Sequence, residues 1–302
     1  GDIHIKSSKL KPIKVSKNYY TSTTDEYPIL FVIAALTSGV SIFKGIKELS
    51  NKESSRAEEM KNILKKIKIK CKFSKDEMKQ IYWVLSNMLA RPVAQSFDGR
   101  LLYDVIDTGV KIATRTRGDL TNQELSWHTD YGFNFPPPFI GLLALNTAPK
   151  GGVSRVASMM TAHNILRKQY PEYLERLYRP FWWNRQGEHP EGDDPVHFYP
   201  IFSYDGKTVR GRYIKWLLYK GYELMDEHFD ETGQKALEKM FDIMSNPKNH
   251  ITFDLEPGQI QYMNNFAVAH SRTDYEDSEK EADRRHLVRI FLRNSGRRSY
   301  MG

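Results

Sequence analysis

The sequence predicts a mainly β chain carrying helices, preceded by a small α/β segment. Two observations carry this expectation. Strand-like alternation surrounds Trp127-His128-Thr129-Asp130 and runs through Arg284-Arg285-His286-Leu287-Val288-Arg289-Ile290-Phe291-Leu292, while helical patterns decorate residues 161–178 and 231–244. The composition also breaks near residue 78. Residues 1–78 hold 15 Lys and one Arg against nine acids, so nearly all of the net charge of +8 belongs to them. Lys exceeds Arg by 15 to 1 before Lys79, Arg exceeds Lys by 18 to 11 from there on, and all five Trp follow it. Two regions of one evolved domain seldom differ so sharply. A junction is therefore expected between residues 1–78 and 79–302.

Other classes fall away quickly. A hydrophobic share of 40% with 27% charged residues excludes a wholly disordered or fibrous chain. The longest clean apolar run, residues 29–36, is far below the roughly 20 residues of a membrane helix. One cysteine, Cys71, rules out a disulfide framework and a thiolate-rich metal site. The chain opens on Gly1 rather than Met and is read as a fragment; with no signal-peptide pattern, a cytoplasmic location is expected.

In the first segment, Ile3 and Ile5 alternate as a short strand would. Asp25-Glu26-Tyr27-Pro28 opens an apolar helix that Gly39 is placed to end, and residues 40–46 read as a strand. Ala57, Met60, Ile63, Leu64 and Ile67 carry helical spacing. Ile67, Ile69, Cys71 and Phe73 then alternate with Lys68, Lys70 and Lys72. That lysine row is a solvated sheet face, since no aromatic residues interleave on it to stack bases.

Asp25-Glu26-Tyr27-Pro28, Lys52-Glu53-Ser54-Ser55-Arg56 and the strand between them resemble 5-enolpyruvylshikimate-3-phosphate synthase over about 75 residues. The resemblance implies Asp25 as the carboxylate meeting the shikimate hydroxyl, Lys52 and Glu53 in proton transfer and phosphate contact, and Arg56 as a phosphoenolpyruvate ligand. Ser55 departs from that family's usual Asp. These positions are expected to be vestigial, because that family's site lies between two domains and only part of one is represented.

In the second segment, residues 79–89 read as a helix and 101–111 as strand and turn. His128 and Asp130, two apart on a strand, point to one side and can reach one metal ion, although such a pair alone also fits a structural role. Met263-Asn264-Asn265-Phe266-Ala267-Val268-Ala269-His270-Ser271-Arg272 supplies a later histidine. In the last strand the two-residue period puts Arg285, Leu287, Arg289 and Phe291 on one face. Two arginines on an apolar strand are costly to bury unless anions meet them. Two His and one carboxylate form the facial triad of non-haem Fe(II) oxygenases, and a nearby guanidinium fork suits a dicarboxylate co-substrate.

The His-Thr-Asp stretch, the Gly151-Gly152-Val153-Ser154 turn, the Asn-Asn-x-x-x-x-His-x-Arg segment and the Arg-His-Leu-x-Arg strand together resemble the TauD/TfdA family of Fe(II)/2-oxoglutarate-dependent dioxygenases. The resemblance implies a double-stranded β-helix, or jelly roll, with Fe(II) held by His128, Asp130 and His270, and 2-oxoglutarate and O2 as co-substrates. Arg285 would pair with the distal carboxylate of 2-oxoglutarate, and Ser154 would donate to it where the family often has Thr. Arg289 would face the anionic group of a small carboxylate or sulfonate substrate, hydroxylated with release of succinate and CO2. The partner implied is a small anionic metabolite, with no nucleic acid and no membrane; a homo-oligomer is left open. Family members carry more chain before the His-x-Asp strand, so a missing N-terminal part is expected. Pro136-Pro137-Pro138 would set a loop beside the metal, and Trp182 and Trp183 read as core more than pocket lining. Two other readings stand beside this one: a metal-binding jelly roll without oxygenase activity, and an inactive composite of two gene fragments.

Overall fold

A computed structural model describes residues 73–96, 98–109 and 120–296, together with 11, 13–16, 18, 30 and 41–44. The chain divides into two compact units, Gly1–Phe73 and Ser74–Gly302. In the first, β1 (Lys14–Val15) pairs in parallel with β2 (Ile42–Phe43), inside the strand expected at 40–46. The strand at Ile3 and Ile5, the two helices, the lysine-faced strand and the positions Asp25, Lys52, Glu53 and Arg56 lie outside the described residues.

The second unit begins with α1 (Lys75–Leu89), four residues ahead of the expected start at Lys79. Ser74 and Glu77 form a capping box: the Glu77 N–H donates to Ser74 Oγ at 3.2 Å, and the Ser74 N–H donates to Glu77 Oε2 at 2.8 Å. This reciprocal pair satisfies donors that the first turn cannot use itself, which sets the boundary. β3 (Arg91–Val93), β4 (Leu102–Val105), β5 (Leu125–His128), β6 (Phe139–Asn146), β7 (Lys150–Gly151) and β8 (Ser154–Ser158) follow.

The single helix expected over 161–178 is two, α2 (Met159–Gln169) and α3 (Pro171–Leu177). Pro171 cannot donate an intrahelical bond, and Tyr170 before it leaves helical geometry at φ −143°, ψ 59°, so the helix restarts with Pro in its first turn. Next come β9 (Pro180–Asn184), β10 (Val196–Pro200), β11 (Phe202–Tyr204), β12 (Val209–Gly211), α4 (Lys215–Met225) and α5 (Glu231–Ser245). The chain closes with β13 (His250–Phe253), β14 (Ile260–Asn264), β15 (Val268–Arg272), β16 (Tyr275–Glu276) and β17 (His286–Arg293).

Two sheets build the jelly roll. The larger has the order β14-β6-β17-β3, with β4 also on β17; the smaller has the order β13-β8-β15-β5. Their inner faces share one cavity, lined by His128, Ser154 and His270 of the smaller sheet and by Leu142, Gln261, Leu287 and Arg289 of the larger. Strand β17 is buried on both sides. Leu287, Arg289 and Phe291 face the interior, whereas Val288, Ile290 and Leu292 pack with Tyr82 of α1 on the outer face. Gly141 of β6 lets this layer close, because a Cβ there would stand 2.5 Å from the Tyr82 hydroxyl. Behind the smaller sheet, Trp127 Nε1 donates to Ser245 Oγ of α5 at 3.0 Å. Trp183 is fully buried core and donates to the Tyr199 carbonyl; Trp182 lies against Phe198 in a tilted arrangement, and neither lines the cavities beside His128.

Candidate metal centre

Register brings the two histidines together. Strand β15 pairs antiparallel with β5 so that His270 stands directly opposite His128, with ring centroids 4.1 Å apart. His128 Nδ1 lies 2.8 Å from the Ser126 carbonyl, a contact that orients the ring with Nε2 toward Asp130. Burial and the neighbouring His128 lower the pKa of His270 from 6.5 to about 3, so its imidazole is neutral. Its Nδ1 is buried with no hydrogen-bond partner among the described residues.

Asp130 reaches the same point from a turn rather than from the strand that the two-residue spacing suggests, because β5 ends at His128. Thr129 turns aside to exchange hydrogen bonds with Tyr213, and the Asp130 N–H is taken by the Asn265 side chain at 2.8 Å. The Asp130 carboxylate nevertheless points inward: Oδ1 is 3.6 Å from His128 Nε2, and Oδ2 is 3.6 Å from Arg289 Nη1. Ligand atoms of His128, Asp130 and His270 all lie within 4.8 Å of one another. Neighbouring ligands at about 2.1 Å from one ion stand about 3 Å apart, so modest rotamer shifts would close the set on a first-row divalent metal. Two imidazoles and a carboxylate are a fitting donor set for Fe(II).

Arg285, only 6% exposed, lies on the other side of the small cavity, which measures about 50 Å³ and is shared with Ser154, Arg272, His270 and Asp130. It forms no ion pair among the described residues, and burial with the nearby Arg272 lowers its pKa to about 10. Both guanidiniums lie over Tyr275, at 4.6 Å for Arg272 and 5.0 Å for Arg285. Arg289 is 5% exposed and donates through Nε to Gln95 Oε1 at 2.9 Å. It lines the small cavity and a second one of about 430 Å³, whose wall includes Tyr131, Phe133, Trp216 and Lys215 beside His128 and Asp130.

Two further residues shape the site without a sequence signal for their role: Asn265, within the Asn-Asn-x-x-x-x-His-x-Arg segment, and Gln95, which belongs to no motif. Its Nε2 donates to the Leu101 and Arg289 carbonyls, contacts that only the folded chain creates.

The model of the taurine catabolism dioxygenase TauD, TfdA family matches residues 64–291. The chain belongs to the TauD/TfdA family. Among its relatives, FR-33289 synthase of Streptomyces rubellomurinus is 31% identical over 221 residues, covering 72% of this chain and 64% of that protein. The chain thus spans less than two thirds of that relative's length. The TauD/TfdA fold is shared with an asparagine oxygenase solved with Fe(II), 2S,3S-3-hydroxyasparagine and succinate, at a TM-score of 0.55 and 20% identity, over 71% of this chain and 64% of the other. The N-terminal region is similar instead to 3-phosphoshikimate 1-carboxyvinyltransferase of Hydrogenovibrio crunogenus, 40% identical over 78 residues, or 26% of this chain and 18% of that one. Among the described residues no helix is long and apolar enough to cross a membrane.

Proposed function

We propose that this chain is an Fe(II)/2-oxoglutarate-dependent dioxygenase that hydroxylates a small anionic substrate, a carboxylate or sulfonate, and releases succinate and CO2. The observation that carries the reading is the convergence of His128, Asp130 and His270 within 4.8 Å, beside a cavity that also holds Arg285 and Ser154. Iron(II) bound there supplies the dioxygen chemistry that couples decarboxylation of 2-oxoglutarate to hydroxylation of the substrate.

The protein's own part is geometry. Arg285 offers a desolvated guanidinium fork to one carboxylate of 2-oxoglutarate, and the Ser154 hydroxyl adds a hydrogen bond to it. Arg289 and Lys215 turn positive charge toward the larger cavity, which favours an anionic substrate, and the aromatic walls at Tyr131, Phe133 and Trp216 limit water. Holding both anions before reaction removes much of the entropic cost of bringing them together.

Titration of the metal-free chain with Fe(II) under argon, followed by succinate detection, tests the reading. The expected result is one bound metal and succinate formed only when 2-oxoglutarate and O2 are both present. His128→Ala and His270→Ala should abolish both signals. Metal binding without succinate would favour the non-catalytic jelly roll.

The unit before Ser74 forms, on this reading, a separate partial enolpyruvyl-transferase-like segment without activity of its own, supported by the similarity of the N-terminal region to the carboxyvinyltransferase; residues 74–78, expected to lie with it, belong instead to the unit that carries α1. The segment's fusion to the unit Ser74–Gly302 contributes nothing to the metal chemistry.

A further inference from the structure

Asn265 lies in the turn between β14 and β15, five residues before His270, and is 1% exposed. Its Oδ1 accepts from the Asp130 N–H at 2.8 Å, and its Nδ2 donates to the Asp130 carbonyl at 2.8 Å and to the Pro137 carbonyl at 3.0 Å. Its backbone N–H donates to the Pro138 carbonyl at 2.9 Å. One residue therefore grips both ends of the loop 130–138. That loop opens on the carboxylate ligand and carries Tyr131 and Phe133, which wall the larger cavity.

The loop needs this restraint. Tyr131 sits at φ 59°, in the left-handed region that a bulky residue seldom adopts unless its surroundings impose it. Arg212 holds the middle of the loop through the Gly132 and Asn134 carbonyls, at 3.4 and 3.2 Å. The Asn265 amide satisfies both the N–H and the C=O of Asp130. An amide is the one small side chain able to accept from the first and donate to the second from the same plane.

We propose that Asn265 is a positioning residue that fixes the Asp130 ligand and the Tyr131–Phe133 cavity wall as a single unit. The proposal rests on the metal reading above. It follows that altering the amide loosens the loop and weakens the metal together. Asn265→Asp is the sharpest probe, being nearly isosteric: it keeps an acceptor for the Asp130 N–H and turns a second oxygen on the carbonyls of Asp130 and Pro137.

The experiment is Mn(II) titration of the metal-free full chain, read as free Mn(II) by electron paramagnetic resonance, with amide hydrogen exchange of residues 130–138 measured alongside. Asn265→Asp and Asn265→Ala are compared with Leu237→Ala, a core change in α5 matched for loss of Tm. The expected result is at least tenfold weaker Mn(II) binding and faster loop exchange in both Asn265 variants, with little change of either in Leu237→Ala. Should Asn265→Ala fail to fold, Asn265→Asp carries the test. Mn(II) affinity within twofold of the unaltered chain would overturn the proposal. So would an equal loss in Leu237→Ala, or weakened binding with unchanged loop exchange. Failure of the unaltered chain to bind Mn(II) would overturn the metal reading, and this inference with it.

Discussion

Arg289 Nη1 stands 3.6 Å from Asp130 Oδ2, with both side chains almost fully buried, so the arginine read as a substrate anchor also faces the carboxylate offered to the metal. The charge that would attract a substrate anion therefore already steadies the Asp130 carboxylate of the candidate metal centre. Gln95 braces the same guanidinium from behind through Nε, as a neutral partner that fixes orientation without cancelling charge.

Arg289→Ala should for that reason do two things. It should leave 2-oxoglutarate binding nearly intact while uncoupling its decarboxylation from substrate hydroxylation. It should also destabilise the fold by about 3 kcal/mol, the usual cost of breaking one side of a buried charge pair. Kinetics in each substrate, with a denaturation curve, check both. Equal loss of 2-oxoglutarate binding in the Arg285 and Arg289 variants would put Arg289 in the co-substrate site.

Arg285→Ala should raise the apparent constant for 2-oxoglutarate roughly a hundredfold, corresponding to about 3 kcal/mol for a desolvated bidentate pair. Arg285→Lys should also be impaired, because a point charge does not replace a planar fork. Full activity of the lysine variant would show that the fork is not used.

The pH dependence of the metal-free protein follows from His270. Its folded pKa of about 3 lies below the ordinary 6.5, so between these values the unfolded chain binds a proton that the folded one refuses. Stability should fall as pH drops below 6.5 and go on falling toward 3. His270→Gln, which cannot titrate, should flatten this part of the profile. Thermal denaturation in chelator between those limits would show it, and an unchanged slope in the variant would count against burial of a neutral imidazole.

Shortening the chain should be sensitive to the capping box of α1. A chain that starts at Ser74 should bind metal as the full chain does. One that starts at Lys79 loses Ser74, Glu77 and the first turn of a helix that packs on Val288, Ile290 and Leu292. Ser74→Ala alone should cost about 1 kcal/mol. Melting curves of the three proteins, with metal titrations, measure the difference.

The candidate metal donors were legible because each belongs to a short, local pattern: His-x-Asp before a proline loop, and a later His in the Asn-Asn-x-x-x-x-His-x-Arg segment. The alternation that put Leu287, Arg289 and Phe291 on one face also held, since a strand's two-residue period is set by the backbone alone, whereas Arg285 precedes β17 and lines the same small cavity from outside the strand. The same logic failed at Asp130, which leaves the strand because Tyr213 and Asn265, 84 and 135 residues away, take the hydrogen bonds of Thr129 and Asp130. The break at Pro171 and the start at Ser74 were written locally, in a proline and in a Ser-Lys-Asp-Glu sequence, and needed only a closer weighing of helix ends.

What the sequence determined by itself was the candidate donor set and the periodic elements that carry it, because propensity, spacing and side-chain chemistry act over a few residues. Tertiary structure alone decided that His270 stands opposite His128, that Arg289 faces Asp130, and that Gln95 and Asn265 brace them. Strand register is chosen by burying whole faces at once, and a buried amide finds its partners only after those faces have closed.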